Sequence, residues 1–141
     1  MKILAFDVSK KNTGICFKDD HATEVHNYKF KSLLDYYRMI IEYIDLYKPD
    51  MVVYSGTVMM FHTRSVKPMV MLMALVELAC EKREVEVIVV GDTAVRKEMI
   101  GKNAKKADVL PWVNKLHGLE LIDADICDSV IFAEYIYKLY K

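Results

Sequence analysis

Ile3-Leu4-Ala5-Phe6-Asp7-Val8-Ser9-Lys10-Lys11-Asn12-Thr13-Gly14-Ile15-Cys16-Phe17 opens the chain with a short apolar run, a polar turn and a second apolar run. Runs of this length bounded by turn residues read as a buried strand, a hairpin turn and a second strand. Asp7 closes the first run. A carboxylate inside a buried strand costs free energy unless its charge is compensated. A divalent cation held by several carboxylates is the usual compensation; the competing reading is an Asp that caps the turn. More carboxylates stand near the other end, in Asp123-Ala124-Asp125-Ile126-Cys127-Asp128. Asp125 and Asp128 are three apart, so on a helix they share a face. Helix N-capping, for which Asp is favoured, accounts for one of the three acids.

Outward from this hairpin the pattern stays regular. Strands are expected over about 2–8, 12–18 and 24–30, the third after the polar turn Asp19-Asp20-His21, forming a meander. A helix over about 32–47 has Ser32 as its N-cap and Leu33, Leu34, Tyr37, Ile40, Ile41 and Ile44 at helical spacing. Pro49-Asp50 ends it and starts a strand, Met51 to Tyr54. A loop over about 55–64 leads to a long apolar helix over about 65–82, and Glu86 to Val90 is a fifth strand. Helices near 93–100, 105–117 and 125–140 complete the chain. A meander followed by alternating strands and helices predicts an α/β fold, a mixed sheet flanked by helices. No repeat, linker or low-complexity stretch divides residues 1–141, so one domain is expected.

Composition permits this reading. The chain has 141 residues, enough for a real core, and 53% of them are hydrophobic. Asp7 and the lysines around it interrupt any signal-peptide core. The longest apolar stretch, Met69 to Val76, is too short to span a bilayer, so no membrane partner and a cytoplasmic location are expected. Cys16, Cys80 and Cys127 are scattered in apolar runs and read as buried reduced thiols. His21, His26 and His117 have no partners at metal spacing and read as surface residues; Trp112, Tyr135, Tyr137 and Tyr140 read as packing residues.

Net charge argues against a nucleic-acid partner, since 20 Lys and Arg balance 20 Asp and Glu. Distribution argues for one. Arg96, Lys97, Lys102, Lys105 and Lys106 crowd residues 96–106 against the single acid Glu98. His62, Arg64 and Lys67 form a second basic cluster with no acid. Each cluster also has the simpler reading of a solvated face. The helix over 65–82 is apolar on more than one side, which calls for burial against the sheet and against something else. Hard carboxylate oxygens at Asp7, Asp125 and Asp128 suit Mg²⁺ or Mn²⁺ and not zinc.

The opening hairpin ILAFDVSKKNTGICF resembles that of the RuvC-type Holliday junction resolvases, nucleases of the ribonuclease H-like superfamily. Asp125-x-x-Asp128 resembles the acidic pair that opens their last helix. Val95-Arg96-Lys97-Glu98-Met99-Ile100-Gly101-Lys102-Asn103-Ala104-Lys105-Lys106-Ala107-Asp108-Val109 resembles their basic segment. The resemblance covers nearly the whole chain in order. It implies a ribonuclease H-like five-stranded sheet, three strands antiparallel and two parallel. It implies a Mg²⁺-dependent endonuclease that cleaves four-way or other branched DNA, acting as a homodimer through the apolar helix. Asp7, Asp125 and Asp128 would be catalytic and hold the metal, with Lys106 nearest the scissile phosphate. Phe61 would insert near the branch point, or else cover the core with Met59 and Met60. Arg64, Lys67, Arg96, Lys102 and Lys105 would contact phosphates. The small size suits a phage or organellar version, with a phage protein working in the host cytoplasm.

One departure stands out. The family has a catalytic Glu at the end of its fourth strand, whereas Ser55 and Gly56 follow Tyr54 here and no acid appears before Glu77. Two other readings therefore compete. The chain is a junction-binding protein inactivated at Gly56, the first choice because Gly is a poor strand-end residue, or at Ser55, which fits the spacing from Pro49-Asp50; or it is an actin-like nucleotide-binding domain, whose phosphate hairpin also carries an Asp followed by Thr-Gly. The second would need about twice this length and another hairpin.

Overall fold

The protein is described by a computed structural model covering residues 1–9, 11–56, 63–121 and 123–141; the side chains of residues 63–66 and 125 lie outside that description. Phe61, with Met59 and Met60, is therefore outside it, as are the side chains of Arg64 and Asp125.

The elements are β1 (Ile3–Asp7), β2 (Asn12–Lys18), β3 (Thr23–Lys29), α1 (Leu33–Tyr47), β4 (Met51–Ser55), α2 (Thr63–Lys82), β5 (Glu86–Val90), α3 (Asp92–Met99), α4 (Val109–His117) and α5 (Ala124–Tyr140). One sheet orders the strands β3-β2-β1-β4-β5. β2 runs antiparallel to both β1 and β3. β4 runs parallel to both β1 and β5. The expected ribonuclease H-like mixed sheet is borne out.

Local chemistry explains the boundaries. Ser32 caps α1, its Oγ accepting from Asp35 N–H at 3.1 Å. Lys48 ends the helix in the left-handed region (φ 48), its N–H donating to the Ile44 carbonyl at 2.8 Å. Pro49 cannot continue the helix. Asp50 then accepts from the Lys2 N–H at 2.8 Å, tying the entry of β4 to that of β1. The helix expected over 105–117 is split: Lys106–Asp108 forms a 3₁₀ turn and α4 begins at Val109. Ser55, expected in a loop, is the last residue of β4, because Gly56 N–H still reaches the Val90 carbonyl at 2.9 Å.

Alternation sorts the strands onto two faces. Leu4, Phe6, Val52 and Tyr54 pack against Tyr36, Met39, Ile40 and Ile44 of α1 and Leu72, Val76, Ala79 and Cys80 of α2. Ile3, Ala5, Cys16 and Val53 pack on the other face against Val95, Val109, Val113 and a long row from α5, Cys127 to Ile136. α5 lies against the sheet below α3 and α4. That sandwich explains why Val130, Ile131, Phe132 and Ala133 are all buried. α2 differs: Val70, Met71 and Leu78 remain exposed, so its surplus apolar residues lie on the surface of the chain. Among the described residues no helix is long and apolar enough to cross a membrane.

The three cysteines are free and buried, as expected. Burial pushes the Cys80 thiol up to about 12 and, with help from Asp128 and Asp123, Cys127 up to about 11. Two of the histidines are not the surface residues expected. His26 is half-buried and bonds Tyr47 Oη at 2.8 Å, and His117 lies 3.1 Å from Glu134 Oε1. That His117 contact is at ion-pair distance but is not aligned as a hydrogen bond. Sequence periodicity missed both because each partner comes from a distant helix. Tyr137 is a core residue, Trp112 and Tyr135 pack against the core, and Tyr140 is exposed.

Candidate functional site

Strand register sets a row of residues across one end of the sheet. Asp7 is paired with Gly14, and Gly14 with Asn27. On the other side, Ser55 lies one step past the Phe6–Tyr54 pair, level with Asp7, and is paired with Val90. Pleating puts Asp7 and Ser55 on the face of Ile3, Ala5 and Val53, which α5 covers. The same row marks the carboxyl ends of the three parallel strands, where open α/β sheets gather their functional groups.

Asp123 anchors the start of α5 at this row. Its Oδ1 accepts from Ile126 N–H at 3.3 Å, the N-cap bond, and its Oδ2 accepts from Asn27 Nδ2 at 3.1 Å. One of the three C-terminal acids is thus a cap. From there α5 runs back along the sheet until Glu134 Oε1 meets Lys18 Nζ at 3.1 Å, opposite the start of β1. The eleven residues from Asp123 to Glu134 rise about 16 Å. That roughly matches the four-residue length of β1 between Asp7 and Ile3, about 13 Å. Asp128, only 8% exposed, is in the first half of α5, on the half of the face nearer Asp7. Asp7 itself is half-buried. Its charge is felt across the sheet: burial raises the Tyr36 phenol well above its usual range, and Asp7 adds to the effect. Tyr36 is held there by the Thr13 hydroxyl, 3.0 Å away.

Asp7 thus ends β1 on the sheet face that α5 covers, and Asp128 lies in the first half of that helix. Among the described residues no three His, Cys, Asp or Glu side chains are grouped to hold a metal ion. The third member of the expected set is Asp125, whose side chain is outside the described residues. The donor chemistry, carboxylate oxygens at a strand end, fits a hard divalent cation.

At the expected acidic position the two residues differ. Ser55 is on the Asp7 face, buried to 8% exposure. Gly56 leaves the strand on the opposite side by alternation. A Cβ built on Gly56 would meet Val89 Cγ1 at 2.5 Å. Ser55 donates its hydroxyl hydrogen bond to Asp92 Oδ1, from the first turn of α3. Sequence reasoning missed Asp92 and Asn27. The only local signals were an Asp just past the end of a strand and a polar residue inside one.

The basic residues differ in setting. Lys67, Lys97, Lys102, Lys105 and Lys106 are exposed. Arg96 is half-buried, and its Nε is sealed from solvent without a hydrogen-bond partner. Lys105 opens the 3₁₀ turn, its N–H donating to Asp108 Oδ2 at 2.8 Å. That turn and the Gly101 bend hold Lys102, Lys105 and Lys106 on the connection between α3 and α4, which cover the Asp7 face.

No protein-family model matches the chain, and no curated protein does either. Solved structures do match its fold. Thermus thermophilus RuvC in complex with a Holliday junction substrate is 14% identical at a TM-score of 0.83, over 99% of this chain and 96% of that one. The fowlpox virus resolvase, solved with substrate Holliday junction DNA, is 15% identical at a TM-score of 0.64 over the full length of both chains. The yeast mitochondrial Holliday junction resolvase Ydc2 is 13% identical at 0.57, over 94% of this chain and 76% of that one. The chain has the RuvC-type, ribonuclease H-like fold.

Proposed function

We propose that this protein is a divalent-metal-dependent endonuclease that cleaves branched DNA, foremost four-way junctions. The observation that carries the reading is the anchoring of α5. The Asn27–Asp123 bond brings an acidic helix start onto the sheet face and strand end that carry Asp7. A fold shared with proteins solved on Holliday junctions supports the choice of substrate.

Asp7, Asp125 and Asp128 would hold Mg²⁺ or Mn²⁺, which when bound supplies Lewis-acid stabilisation of a phosphodiester and lowers the pKa of a water. The chain's own groups do the rest. The rigid β1 backbone fixes Asp7, and the capped start of α5 fixes the other two carboxylates. Lys106 lies nearest the scissile phosphate and offsets its charge. Lys67, Lys102 and Lys105, with Arg64 and Arg96, track the phosphates of the arms, and Phe61 stacks at the branch point. Two chains act together as a two-fold dimer. Support for the dimer comes from exposed Leu33, Leu34, Val70 and Met71 beside an apolar groove of about 280 Å³ lined by Phe30, Pro68 and Leu72.

The test is cleavage of a four-way junction with Mg²⁺ by the protein and by Asp7→Asn, with linear duplex as control. Metal-dependent cuts at the branch that Asp7→Asn abolishes are expected. Tight junction binding with no cleavage in either protein would instead establish a binding protein, the reading that Ser55 in the acidic position favours.

A further inference from the structure

We infer that Lys11 and Lys29, at the Asp7 end of the β1–β2–β3 meander, form a second phosphate-binding track for a DNA arm. This rests on the proposed branched-DNA reading and goes beyond it, since neither residue belongs to the basic clusters at 62–67 and 96–106. Strand register carries the placement. Asp7 is paired with Gly14 and Gly14 with Asn27, while Asn12 is paired with Lys29. β3 runs in the same direction as β1, so Lys29 lies two residues beyond the Asp7 row at the same end of the sheet. Its neighbours set the face. Val25 packs with the α5 core, and Asn27 bonds Asp123 at the start of α5. His26 and Tyr28 bond Tyr47 and Asp35 on the α1 side instead. Alternation therefore turns Lys29 to the Asp7 face, past the start of the helix that covers it. Lys11 immediately precedes Asn12, the residue paired with Lys29.

Charge is segregated along the meander. Its far end carries Asp19 and Asp20 in the β2–β3 turn and Glu24 at the start of β3, while the Asp7 end carries Lys11, Lys29 and Lys31. All three lysines are exposed, and none is ion-paired with a described residue. Lys31 is partly offset by Asp35, which accepts from its N–H at 2.8 Å and is held low in part by its charge. A solvated face accounts for exposed lysines but gives no reason for gathering them at one end of three strands. Spacing fits a nucleic-acid backbone. From Asp7 to Lys29 is two strand spacings across, about 10 Å, and two residues along, about 7 Å, or about 12 Å in all. One strand of a duplex advances about 3.4 Å per phosphate, so Lys29 meets a phosphate about three or four nucleotides from the one at Asp7. Ammonium groups on flexible stems bind phosphate as point charges and read no sequence.

Junction binding tests this without relying on cleavage. A labelled four-way junction is titrated with the protein across a salt series and followed by fluorescence anisotropy. Lys2→Gln, an exposed residue at the opposite end of the sheet, is the control. Lys11→Gln and Lys29→Gln should each flatten the slope of log affinity against log salt by close to one unit, and the double variant by close to two. Lys2→Gln should match the parent, and Lys31→Gln should change the slope less than Lys29→Gln does, because Asp35 already offsets its charge. An uncharged methylphosphonate is then stepped along each strand of one arm, outward from the branch. At one position it should weaken binding by the parent and leave Lys29→Gln unaffected, a coupling that a general loss of fold would not produce. Parental slopes in both Lys11→Gln and Lys29→Gln, with flattened slopes in Lys105→Gln and Lys106→Gln, would overturn this inference alone. So would methylphosphonate effects that all survive Lys29→Gln. A parent that binds no four-way junction would overturn it together with the branched-DNA reading.

Discussion

Asp123 offers a sharp test of the site's construction, because its two carboxylate oxygens have separate structural jobs. Oδ1 caps α5 through Ile126 N–H at 3.3 Å, and Oδ2 holds Asn27 Nδ2 at 3.1 Å. Asp123→Ala removes both. Loss of an Asp cap costs about 1 kcal/mol, within a range of roughly 0.5–2. The Asn27 bond is solvent-exposed, so its loss adds about 0.5–1 kcal/mol. Urea denaturation of the metal-free protein should therefore show about 2 kcal/mol of destabilisation. Asp123→Asn keeps an acceptor for the cap and should lose less than half of that. Asn27→Ala alone should cost about 0.5–1 kcal/mol and add little to Asp123→Ala, since the two share one bond. In Mn²⁺ titrations Asp123→Asn should bind nearly as the parent, whereas Asp128→Asn should not. Asp123→Ala at parental stability would refute the capping account. Asp123→Asn that loses Mn²⁺ as Asp128→Asn does would make Asp123 a ligand and redraw the site.

Gly56→Glu should bring no gain in four-way junction cleavage and should lower stability by about 1–3 kcal/mol on thermal unfolding, because its Cβ must displace Val89. Lys105→Gln and Lys106→Gln should each flatten the salt dependence of junction binding by close to one unit of slope, measured by fluorescence anisotropy across a salt series; an unchanged slope would remove both from the interface. Asp35 accepts from Tyr28 Oη at 2.7 Å and Lys31 N–H at 2.8 Å, and these bonds hold its carboxyl below the usual range. Its contribution is thus fully present above the unfolded value of about 3.9 and is lost as pH falls through the lower folded value. Asp35→Asn should accordingly be less stable than the parent at neutral pH, with the gap closing only under strongly acidic conditions in pH-dependent urea melts.

The amino-acid sequence alone determined what depends on near neighbours. The short continuous apolar runs Ile3–Phe6 and Ile15–Phe17, bounded by turn residues, mark buried strands whatever they pair with. Ser32, Pro49 and the helical spacing of the apolar residues set α1, and Asp7 is legible as a strand-end acid because a buried carboxylate has to be explained. The apolar excess along the helix over 65–82 called for burial on two sides without saying against what, and Val70, Met71 and Leu78 stay exposed on α2. Tertiary structure alone decided which groups meet. Asn27 and Asp123 lie 96 residues apart, and only the β2–β3 register brings the amide to the helix cap. Ser55 and Asp92 are 37 residues apart, and the parallel pairing of β4 with β5 joins them. The sequence pointed to Gly56 ahead of Ser55 as the emptied position, but a Cβ on Gly56 would meet Val89 Cγ1 at 2.5 Å, and a shift of one residue moves a side chain to the other face of a sheet. His117 beside Glu134, and Val70 and Met71 left at the surface of α2, were settled the same way. Local patterns fix the period and ends of each element, while long-range register fixes the partners, and this site is made of partners.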